Sequence, residues 1–406
     1  MLMLPPLLTG LLAALLSAPA PPPALLTVQV RNRLHEPRPA ATIELDLRQL
    51  RLAANPQRLQ VRDQASGQVL VTQLLDENGD QTPDKLLFQK DLQASEQRLL
   101  TIEAAAAVAP AAAAKTFSRL VPERLDDYAW ENDRVAFRTY GPQAQQRTEA
   151  GRPDGTLTSG MDCWLKRTSS LVIDKWYAGH VQQPGFYHQD HGEGYDPYHV
   201  GDSRGCGGLG VWNDRDSTLA VSKNFINAKT LAAGPIRTVF ELTYAPWPAS
   251  GQLLHERKRI SLDAGQQLSR YDVFITTGQG AVPALTVGIT LHDAKGSVAA
   301  RAAEGWVRHW EKIDDFELGT ALLVAPGQLQ KTWTFRTARK DHSHVFLRLK
   351  PAVHVTYYAG YGWSKAGFPT VGAWEAYLAG EARRLASPVE VRVLQAGREQ
   401  KSFKRS

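Results

Sequence analysis

Short runs in which apolar and polar residues alternate recur along most of this chain, and they constrain its fold more than any other feature. A period of two places every second side chain on the same face of a β-strand. Asn, Pro, Gly and Asp residues, which favour turns, separate consecutive runs. In the first quarter of the chain such runs lie at residues 26–31, 42–47, 59–62, 69–75 and 86–89. They predict a small β-sandwich over residues 27–105.

The alternating runs resume after residue 117 and predict a second, larger domain over residues 117–398. They lie at residues 135–140, 171–173, 219–223, 238–244, 254–262, 268–276, 285–290, 319–324, 332–336, 344–349 and 389–394. So many short strands, with Trp and Tyr throughout, are typical of a large antiparallel two-sheet sandwich. Residues 371–385 differ, because their apolar side chains recur at helical spacing. We therefore predict an all-β protein of two sandwiches with one C-terminal helix.

Three segments lie outside the two predicted sandwiches. Residues 106–116 are rich in alanine and contain Pro110, which favours an interdomain linker over a helix. Residues 1–26 contain an apolar run followed by small residues and prolines, which is typical of a signal peptide. Residues 399–406 form a basic tail. We therefore expect the protein to be secreted or periplasmic.

Charge and cysteine content narrow the classes of function. The chain has 47 Lys and Arg against 41 Asp and Glu, a net charge of +6 that is spread along the sequence. This modest excess suits an acidic ligand such as a uronic-acid polymer. Neither a basic patch with interleaved aromatic residues nor a further apolar run of membrane-spanning length occurs, so we expect no nucleic acid and no membrane span. The two cysteines, Cys163 and Cys206, are too few for a disulfide framework, and the fold must depend on its core.

The residues best suited to chemistry lie in one glycine-rich segment, residues 186–208. It contains His188, His191, His199, Tyr187, Tyr195, Tyr198, Asp190, Glu193, Asp196, Asp202 and Arg204. Packing does not explain this composition, because the segment has little apolar surface to bury. Loops that carry function on a rigid scaffold are polar in this way. Three interpretations stand together: acid–base histidines, ligands of a divalent metal (calcium or zinc), and a polar loop that shapes a sugar pocket.

Motifs on both sides of this segment resemble a known family of secreted bacterial proteins. They lie at residues 130–138, 140–142, 159–167, 174–177, 234–237 and 357–360. Together with residues 186–208 they resemble domain-of-unknown-function family 4861 over nearly the whole mature chain. The resemblance implies a β-sandwich of the galactose-mutarotase-like and polysaccharide-lyase kind, encoded beside unsaturated uronyl hydrolases and other pectin- or ulvan-directed enzymes. It implies no agreed reaction, so it assigns no catalytic residue.

The composition of residues 186–208 favours β-elimination from a uronic-acid-containing glycan. Elimination needs a base for the C5 proton, a group that neutralises the uronate carboxylate, and an acid for the leaving oxygen. His188 or His191 is the predicted base. Tyr195 or Tyr198 is the predicted acid, and Arg204 is the predicted partner of the carboxylate.

Two alternatives remain beside the lyase hypothesis. A glycoside hydrolase needs two carboxylates that face each other across the glycosidic bond. The candidates for that pair are Asp162, Asp190, Glu193 and Asp196. The other alternative is a non-catalytic glycan-binding or mutarotase-like module, in which the same polar residues bind sugar without turnover.

A second set of residues is predicted to bind the saccharide, because sugar sites combine flat rings with hydrogen-bonding groups. The set is Trp130, Glu131, Asn132, Arg134, Trp164, Lys166, Arg167, Asp196, His199 and His342. His342 is included because the histidine pair of residues 341–344, and likewise His292, can approach the central segment across a cleft. For both tryptophans, a place in the core is the alternative.

The residues around position 80 resemble the start of a calcium-binding loop. The oxygen ligands would come from Asp76, Asn78, Asp80 and Asp84. However, Gln81 stands where such a loop has glycine, and Leu87 stands where it has a bidentate acid. We therefore favour a hairpin turn here, with a structural calcium ion as the alternative.

Overall fold

The computed structural model describes residues 24–50, 55–108, 110–278, 280–293, 295–339, 341–395 and 398–399. The predicted signal peptide up to residue 23 and the basic tail from residue 400 lie outside the described residues. The N-terminal part of the chain forms β1 (Ala24–Arg31), β2 (Arg38–Asp46), β3 (Leu59–Asp63), β4 (Val69–Leu70), β5 (Thr72–Leu75), β6 (Lys85–Leu92) and β7 (Gln97–Ala104).

The rest of the chain contributes a longer series of strands. The first seven are β8 (Thr116–Val121), β9 (Asp127–Asn132), β10 (Ala136–Thr139), β11 (Asp162–Lys166), β12 (Gly194–Tyr195), β13 (Cys206–Asn213) and β14 (Thr218–Ala220). The next seven are β15 (Phe225–Ala232), β16 (Arg237–Tyr244), β17 (Trp247–Ala249), β18 (Gln252–Asp263), β19 (Leu268–Thr277), β20 (Thr286–Thr290) and β21 (Ser297–Arg301). The last seven are β22 (Trp306–Ile313), β23 (Phe316–Leu323), β24 (Leu329–Phe335), β25 (His344–Leu349), β26 (His354–Trp363), β27 (Glu390–Gln395) and β28 (Arg398–Glu399).

The first sandwich consists of a six-stranded sheet in the order β28-β27-β1-β7-β3-β4 and a three-stranded sheet in the order β2-β6-β5. Alternate side chains such as Val28, Phe88 and Ile102 fill the space between them. The prediction placed residues 389–394 in the large domain, and this is wrong. Strand β27 pairs antiparallel with β1, so the end of the chain returns to the first sandwich. Sequence periodicity identifies a strand, but it does not identify the strand's partner.

The second sandwich contains a nine-stranded antiparallel sheet in which β15-β16-β18-β19-β26-β23-β22-β21 are neighbours and β17 pairs with β18. Opposite it lie two five-stranded sheets, in the orders β12-β11-β10-β9-β8 and β14-β13-β20-β25-β24. One large apolar core, which includes Trp130, Phe240, Tyr271, Leu347 and Trp363, joins these sheets. The prediction of an all-β protein built from antiparallel sheets is confirmed, although the large domain has three sheets where two were predicted.

The helices among the described residues are α1 (Leu47–Leu50), α2 (Pro142–Glu149), α3 (Ile173–Gln182) and α4 (Val371–Ala386), besides three short 3-10 turns. Helix α4 confirms the predicted C-terminal helix. Its N-terminus is capped by the Thr370 hydroxyl, which accepts a hydrogen bond from the Ala373 N–H. Its apolar face, with Trp374 and Leu378, packs on the outer face of the nine-stranded sheet against Trp306.

Helix α3 begins where the sequence predicted a strand over residues 171–173, and that prediction is wrong. The Glu131 carboxylate, which lies on β9, accepts hydrogen bonds from the N–H groups of Val172 and Ile173 at 2.8 Å each. An acid at a helix N-terminus binds the free N–H groups and complements the helix dipole. Because this acid comes from a distant strand, the local sequence gives no sign of the helix.

The interdomain segment is irregular, as the linker interpretation expects: residues 105–108 and 110–114 form neither helix nor strand. The two sandwiches also touch beyond it, since Gln73 bonds the backbone of Ile236 and Arg237. None of the helices in the described part of the chain has the length and hydrophobicity needed to cross a membrane.

Candidate active site

A buried ionic cluster fixes the start of the 186–208 segment. The Arg138 guanidinium, on β10, donates to Asp162 at 2.9 Å and to Asp196 at 2.8 Å, and it lies 3.7 Å from Asp127. It also donates to the Tyr187 hydroxyl at 3.1 Å. All three carboxylates are fully buried. Arg138 therefore holds both Tyr187 and Asp196 against the β8–β12 sheet.

The cluster has more carboxylates than cations, and this shifts the pKa values of its acids. Burial raises the pKa of Asp127 to about 6, although the charges of Arg138 and Arg124 oppose the shift. Burial and the nearby charge of Asp162 raise the pKa of Asp196 well above its usual value. An acid that is buried beside like charges keeps its proton, because the neutral form avoids both desolvation and repulsion. Burial thus favours the neutral forms of Asp127 and Asp196, and the contacts of the cluster hold the loop.

The structure contradicts the prediction that Arg204 binds a substrate carboxylate. Its side chain is buried, and its guanidinium donates to the Thr158 hydroxyl at 2.8 Å and the Ser159 hydroxyl at 3.0 Å, with longer contacts to two backbone carbonyls. Burial lowers the pKa of Arg204 to about 10. These hydrogen bonds occupy the guanidinium N–H donors that a substrate carboxylate would need, and the side chain is buried away from solvent.

The structure also contradicts the prediction of Tyr198 as the acid. Its ring is buried in the large core, edge-on to His292 with 4.8 Å between ring centroids. Burial raises the pKa of Tyr198 well above its usual value. Tyr195 is only half-buried, and its hydroxyl donates to Asp314 at 2.9 Å. Burial and the Asp314 carboxylate raise the pKa of Tyr195. Of the two predicted acids, only Tyr195 is open to solvent.

Three residues of the segment hold its conformation at the surface. The Asp190 carboxylate pairs with Arg167 at 2.6 Å, and Glu193 pairs with Lys175 at 2.8 Å. The His191 ring stacks on Phe186 at 3.9 Å. With Asp162 and Asp196 buried at Arg138, none of the four carboxylates proposed for hydrolysis is free to face a glycosidic bond.

Like His191, whose Nε2 bonds the Phe186 carbonyl oxygen at 3.0 Å, His188 uses one ring nitrogen for a backbone carbonyl. Its side chain is 53% exposed, and Nδ1 bonds the Asp196 carbonyl oxygen at 2.8 Å. A carbonyl only accepts, so Nδ1 carries the proton and Nε2 has the free lone pair. His188 is thus competent as a base, but the hydrogen bonds of the described residues bring no second catalytic group to it.

Most of the predicted sugar-binding set around residues 130–167 lies in the interior. Trp130 and Trp164 are fully buried, and the Trp130 indole donates to Ser269 at 2.9 Å. Lys166 is fully buried as well and pairs with Glu131 at 2.6 Å. These residues cannot touch a saccharide, because the protein interior encloses them.

The remaining members of that set lie at turns. The Asn132 side chain is buried and donates to the carbonyls of Asp263 and Gln266, so it also has no surface for a sugar. Arg134 and Arg167 are exposed. Arg167 lies over the Trp363 ring at 5.7 Å in addition to its ion pair with Asp190.

The residues proposed for calcium form a hairpin turn. The Asp76 carboxylate accepts hydrogen bonds from the N–H groups of Gly79, Asp80 and Gln81, at 2.6, 3.2 and 2.7 Å. Asn78 likewise bonds Asp80, and the Asp84 carboxylate accepts from Glu77 N–H at 2.8 Å. Among the residues with described positions, no group of three or more His, Cys, Asp or Glu side chains is arranged to hold a metal ion. The turn accounts for these oxygens without an ion.

Three histidine–carboxylate pairs come together at one end of the large sandwich. His199 Nε2 bonds Asp341 at 3.0 Å, and His342 Nε2 bonds Asp202 at 3.0 Å. His199 and Asp202 belong to the 186–208 segment, whereas Asp341 and His342 belong to the connection between β24 and β25. The predicted approach of residues 341–344 to the central segment is therefore confirmed by two reciprocal hydrogen bonds.

His292 completes the arrangement from a third segment, after β20. Its Nδ1 bonds Glu311 at 2.7 Å, and its Nε2 bonds the His199 carbonyl oxygen at 2.7 Å. Because a carboxylate and a carbonyl both only accept, both ring nitrogens of His292 carry protons. Burial lowers the pKa of His292, but the hydrogen bond and charge of Glu311 outweigh burial and raise it. His292 is therefore an imidazolium that fixes the backbone of His199.

We call this group the histidine–carboxylate site, and its members are His199, Asp202, His292, Glu311, Arg339, Asp341 and His342. Its outer part is open to solvent: His199 is 53% exposed and His342 29% exposed. Arg339 is 68% exposed and donates to Asp202 at 3.3 Å. We predicted His199 and His342 as binding residues from the sequence, but nothing in the sequence distinguished Arg339 or Glu311 from the other charged residues.

Comparisons with known proteins agree on the family. A family model described as "Domain of unknown function (DUF4861)" matches residues 30–391. "Uncharacterized protein P7" from Formosa agariphila is 40% identical over 372 residues, which cover 90% of this chain and 93% of that protein. This agreement confirms the resemblance drawn from the motifs.

Two solved structures from Enterococcus faecalis align with this chain at low similarity. One is a protein in glycosyl hydrolase family 38, with a TM-score of 0.48 and 9% identity, and the other is an alpha-mannosidase, with a TM-score of 0.45 and 8% identity. Each alignment covers 93% of this chain but only 48% and 46% of the respective structure. The chain thus spans about half the length of these structures, and likeness at this level does not bear on function.

Proposed function

The chain belongs to the DUF4861 family, and we propose that it is an exported enzyme that cleaves uronic-acid-containing glycans by β-elimination at the histidine–carboxylate site. The observation that carries this proposal is the pair of solvent-exposed imidazoles, His199 and His342, each oriented by a carboxylate from the opposite segment. A carboxylate that fixes one ring nitrogen sets the tautomer and the direction of the other.

The roles follow from the hydrogen bonds. Asp341 accepts from Nε2 of His199, so Nδ1 of that ring is the atom that can take a proton. Likewise, Asp202 accepts from Nε2 of His342, so Nδ1 of that ring is the atom that can exchange a proton. A neutral imidazole suits the removal of the C5 proton, and a protonated imidazole suits its delivery to the leaving oxygen. The site therefore provides one ring for each step, and we assign the base to His199 and the acid to His342.

The third requirement is a cation for the uronate carboxylate, and we assign it to Arg339. Its guanidinium is mostly exposed and contacts Asp202 by one nitrogen at 3.3 Å, which leaves further N–H donors for a second carboxylate. In the reaction the C5–H bond and the C4–O bond break, and a C4–C5 double bond forms. The C5 proton goes to His199, and the leaving oxygen takes a proton from His342. A cation beside the carboxylate stabilises the negative charge that develops at C5.

Hydrolysis is less well supported by the same geometry. The four carboxylates predicted for it are buried or ion-paired, as described above. Asp202, Asp341 and Glu311 are the acids at the site, and each is bound to a histidine. Their role is therefore to orient the imidazoles.

The test is an assay with polygalacturonate, alginate and ulvan, in which the ultraviolet absorbance of the new double bond is followed. Wild-type protein is expected to raise the absorbance with at least one polymer, and His199→Ala and His342→Ala are expected to abolish the rise. His35→Ala is a matched control, because His35 is an exposed histidine in the first sandwich, bonded to Ser95 at 2.9 Å. New reducing ends without absorbance would indicate hydrolysis, and no product from any polymer would overturn the proposal.

A further inference from the structure

The outer face of the β14-β13-β20-β25-β24 sheet carries a cluster of aromatic rings. We call it the aromatic platform and define it by Trp212, Trp333, Phe335 and Phe346. The centroid of the Trp212 ring lies 5.5 Å from that of Trp333, 5.1 Å from that of Phe335 and 5.3 Å from that of Phe346. Phe346 is buried, but the other three rings are only half-buried. Packing alone does not require large aromatic side chains on a surface strand with one face of the ring open to solvent.

Strand alternation places these rings on the face opposite the core. In the β24–β25 pair, Trp333 lies opposite Phe346. Their neighbours Val345 and Leu347 point the other way, into the large core. The face that carries the rings thus has its own aromatic layer, and the half-buried rings of that layer lie toward solvent.

Two cations border the platform and give it a positive potential. The Lys331 ammonium lies 4.8 Å from the centroid of the Trp333 ring, and the Arg348 guanidinium lies 5.4 Å from it. Both pair with the same carboxylate, Asp214, at 3.0 and 2.7 Å. Two cations that share one acid leave an excess positive charge beside the rings. A surface of this kind fits a ligand with flat C–H faces and negative charges.

We propose that the aromatic platform binds the uronate units that flank the cleaved bond, with sugar rings on Trp333 and Trp212 and a carboxylate at Lys331, since Arg348 is buried and already bonds Asp214 and the Trp212 carbonyl oxygen. This inference rests on the proposed function and names the subsite that positions its polymer. A pyranose with equatorial hydroxyls presents a C–H face to an aromatic ring, while its carboxylate lies at the edge, where the cations are.

The strands that carry the platform, β24 and β25, are joined by the connection that contributes to the histidine–carboxylate site. Strand β24 runs from Lys331 through Trp333 to Phe335, a length of roughly 13 Å at about 3.3 Å per residue, which exceeds one sugar ring. The chain then enters the connection that bears Arg339 and His342. Phe335 pairs with His344 across the two strands, and His344 in turn stacks on Phe346 at 5.0 Å. A glycan chain that lies along the platform therefore points toward the exposed imidazoles.

The experiment measures binding separately from turnover. Isothermal titration of the His342→Ala protein with polygalacturonate, alginate and ulvan gives Kd without depletion of the polymer. Adding the Trp333→Ala substitution to this His342→Ala protein is expected to raise the Kd for the preferred polymer at least about tenfold. A loss of affinity of this size is usual when a central Trp contact is truncated. Phe274→Ala is the matched control. Phe274 is also half-buried, stacks on His354 at 4.5 Å and lies 4.1 Å from the Arg257 guanidinium, but on the nine-stranded sheet.

A second variant tests the charge. Lys331→Gln changes an exposed side chain, and it is expected to weaken binding of polygalacturonate while leaving binding of fully methyl-esterified polygalacturonate unchanged. Lys312→Gln, at another exposed position, is its control.

The outcomes separate the two proposals. Binding that depends on Trp333, with no cleavage of any polymer, supports the platform and overturns the proposed reaction. Cleavage whose KM and Kd are unchanged in Trp333→Ala overturns the platform and leaves the reaction in place. Absence of binding to all three polymers, or a change in oligomeric state as the sole effect of Trp333→Ala, also overturns the platform.

Discussion

Replacing Asp127 by Asn is expected to stabilise the protein at alkaline pH. The Asp127 carboxyl is fully buried in the cluster around Arg138, and burial raises its pKa from 3.8 to about 6. Above pH 6 the native state must hold this group as a buried anion, although Arg138 already forms ion pairs with Asp162 and Asp196. Asn keeps the size and an acceptor oxygen without the charge.

The magnitude follows from the shift in pKa. A rise of about 2 units, at about 1.4 kcal/mol per unit, corresponds to about 3 kcal/mol. Between pH 3.8 and pH 6 the native state of the wild type binds more protons than the unfolded state, so stability falls as the pH rises through this window. At pH 8 the wild type has lost all of the stability that protonated Asp127 gives the native state at low pH. Asp127→Asn should therefore be more stable than wild type by up to about 3 kcal/mol at pH 8 and nearly equal to it at pH 4.

Urea unfolding followed by tryptophan fluorescence, at several pH values between 4 and 8, measures this difference. Asp126→Asn is the matched control, because it removes the same charge one residue earlier from a side chain that is not buried. A variant that is less stable than wild type at pH 8, or a difference that does not change with pH, would refute the reasoning about the cluster.

Further predictions concern the buried pair, the thiols and the exposed arginine. Lys166→Met leaves the buried Glu131 carboxylate without its cation and should lower the free energy of unfolding by about 3–5 kcal/mol in the same urea assay; an unchanged midpoint contradicts this. Cys163 and Cys206 are both buried free thiols, and burial raises the pKa of Cys163 well above its usual value, so Ellman's reagent should label the native protein slowly and the urea-unfolded protein rapidly. Rapid labelling of the native protein would show that the core opens. Arg339→Gln should lower kcat/KM for the charged polymer by about 10²-fold, as loss of a donor at a developing anion does elsewhere, whereas Arg336→Gln serves as the neighbouring control.

The architecture was largely predictable from sequence, because alternation reports directly which strands have one buried face. Strands such as β18 and β19 and helix α4 appear in the sequence as uninterrupted patterns. What failed depended on partners distant in sequence. Helix α3 begins where Glu131 binds its N-terminal N–H groups, and β27 joins β1 across the whole length of the chain. Neither contact leaves a local signal.

The candidate site was found in part, because composition shows which residue types are available but not which way they face. The concentration of histidines drew attention to the 186–208 segment and the 341–344 pair, which the structure brings into contact. Arg204 was misjudged because arginine on a polar loop is usually exposed, whereas here neighbouring hydroxyls bind it in the interior. Trp130 and Trp164 were placed at the surface as one of two alternatives, and the core proved correct for both. The members that sequence missed, Arg339 and Glu311, act through contacts with residues far away in the chain.

The most direct test of the account is mass spectrometry of the fragments that the protein releases from an oligouronate of defined length. Elimination predicts that the fragment from the reducing side of the cleaved bond is lighter by one water than a saturated oligouronate, and that the His199→Ala/His342→Ala double variant releases none of it. Fragments that have gained water, or the same unsaturated fragment from the double variant, would contradict β-elimination at the histidine–carboxylate site.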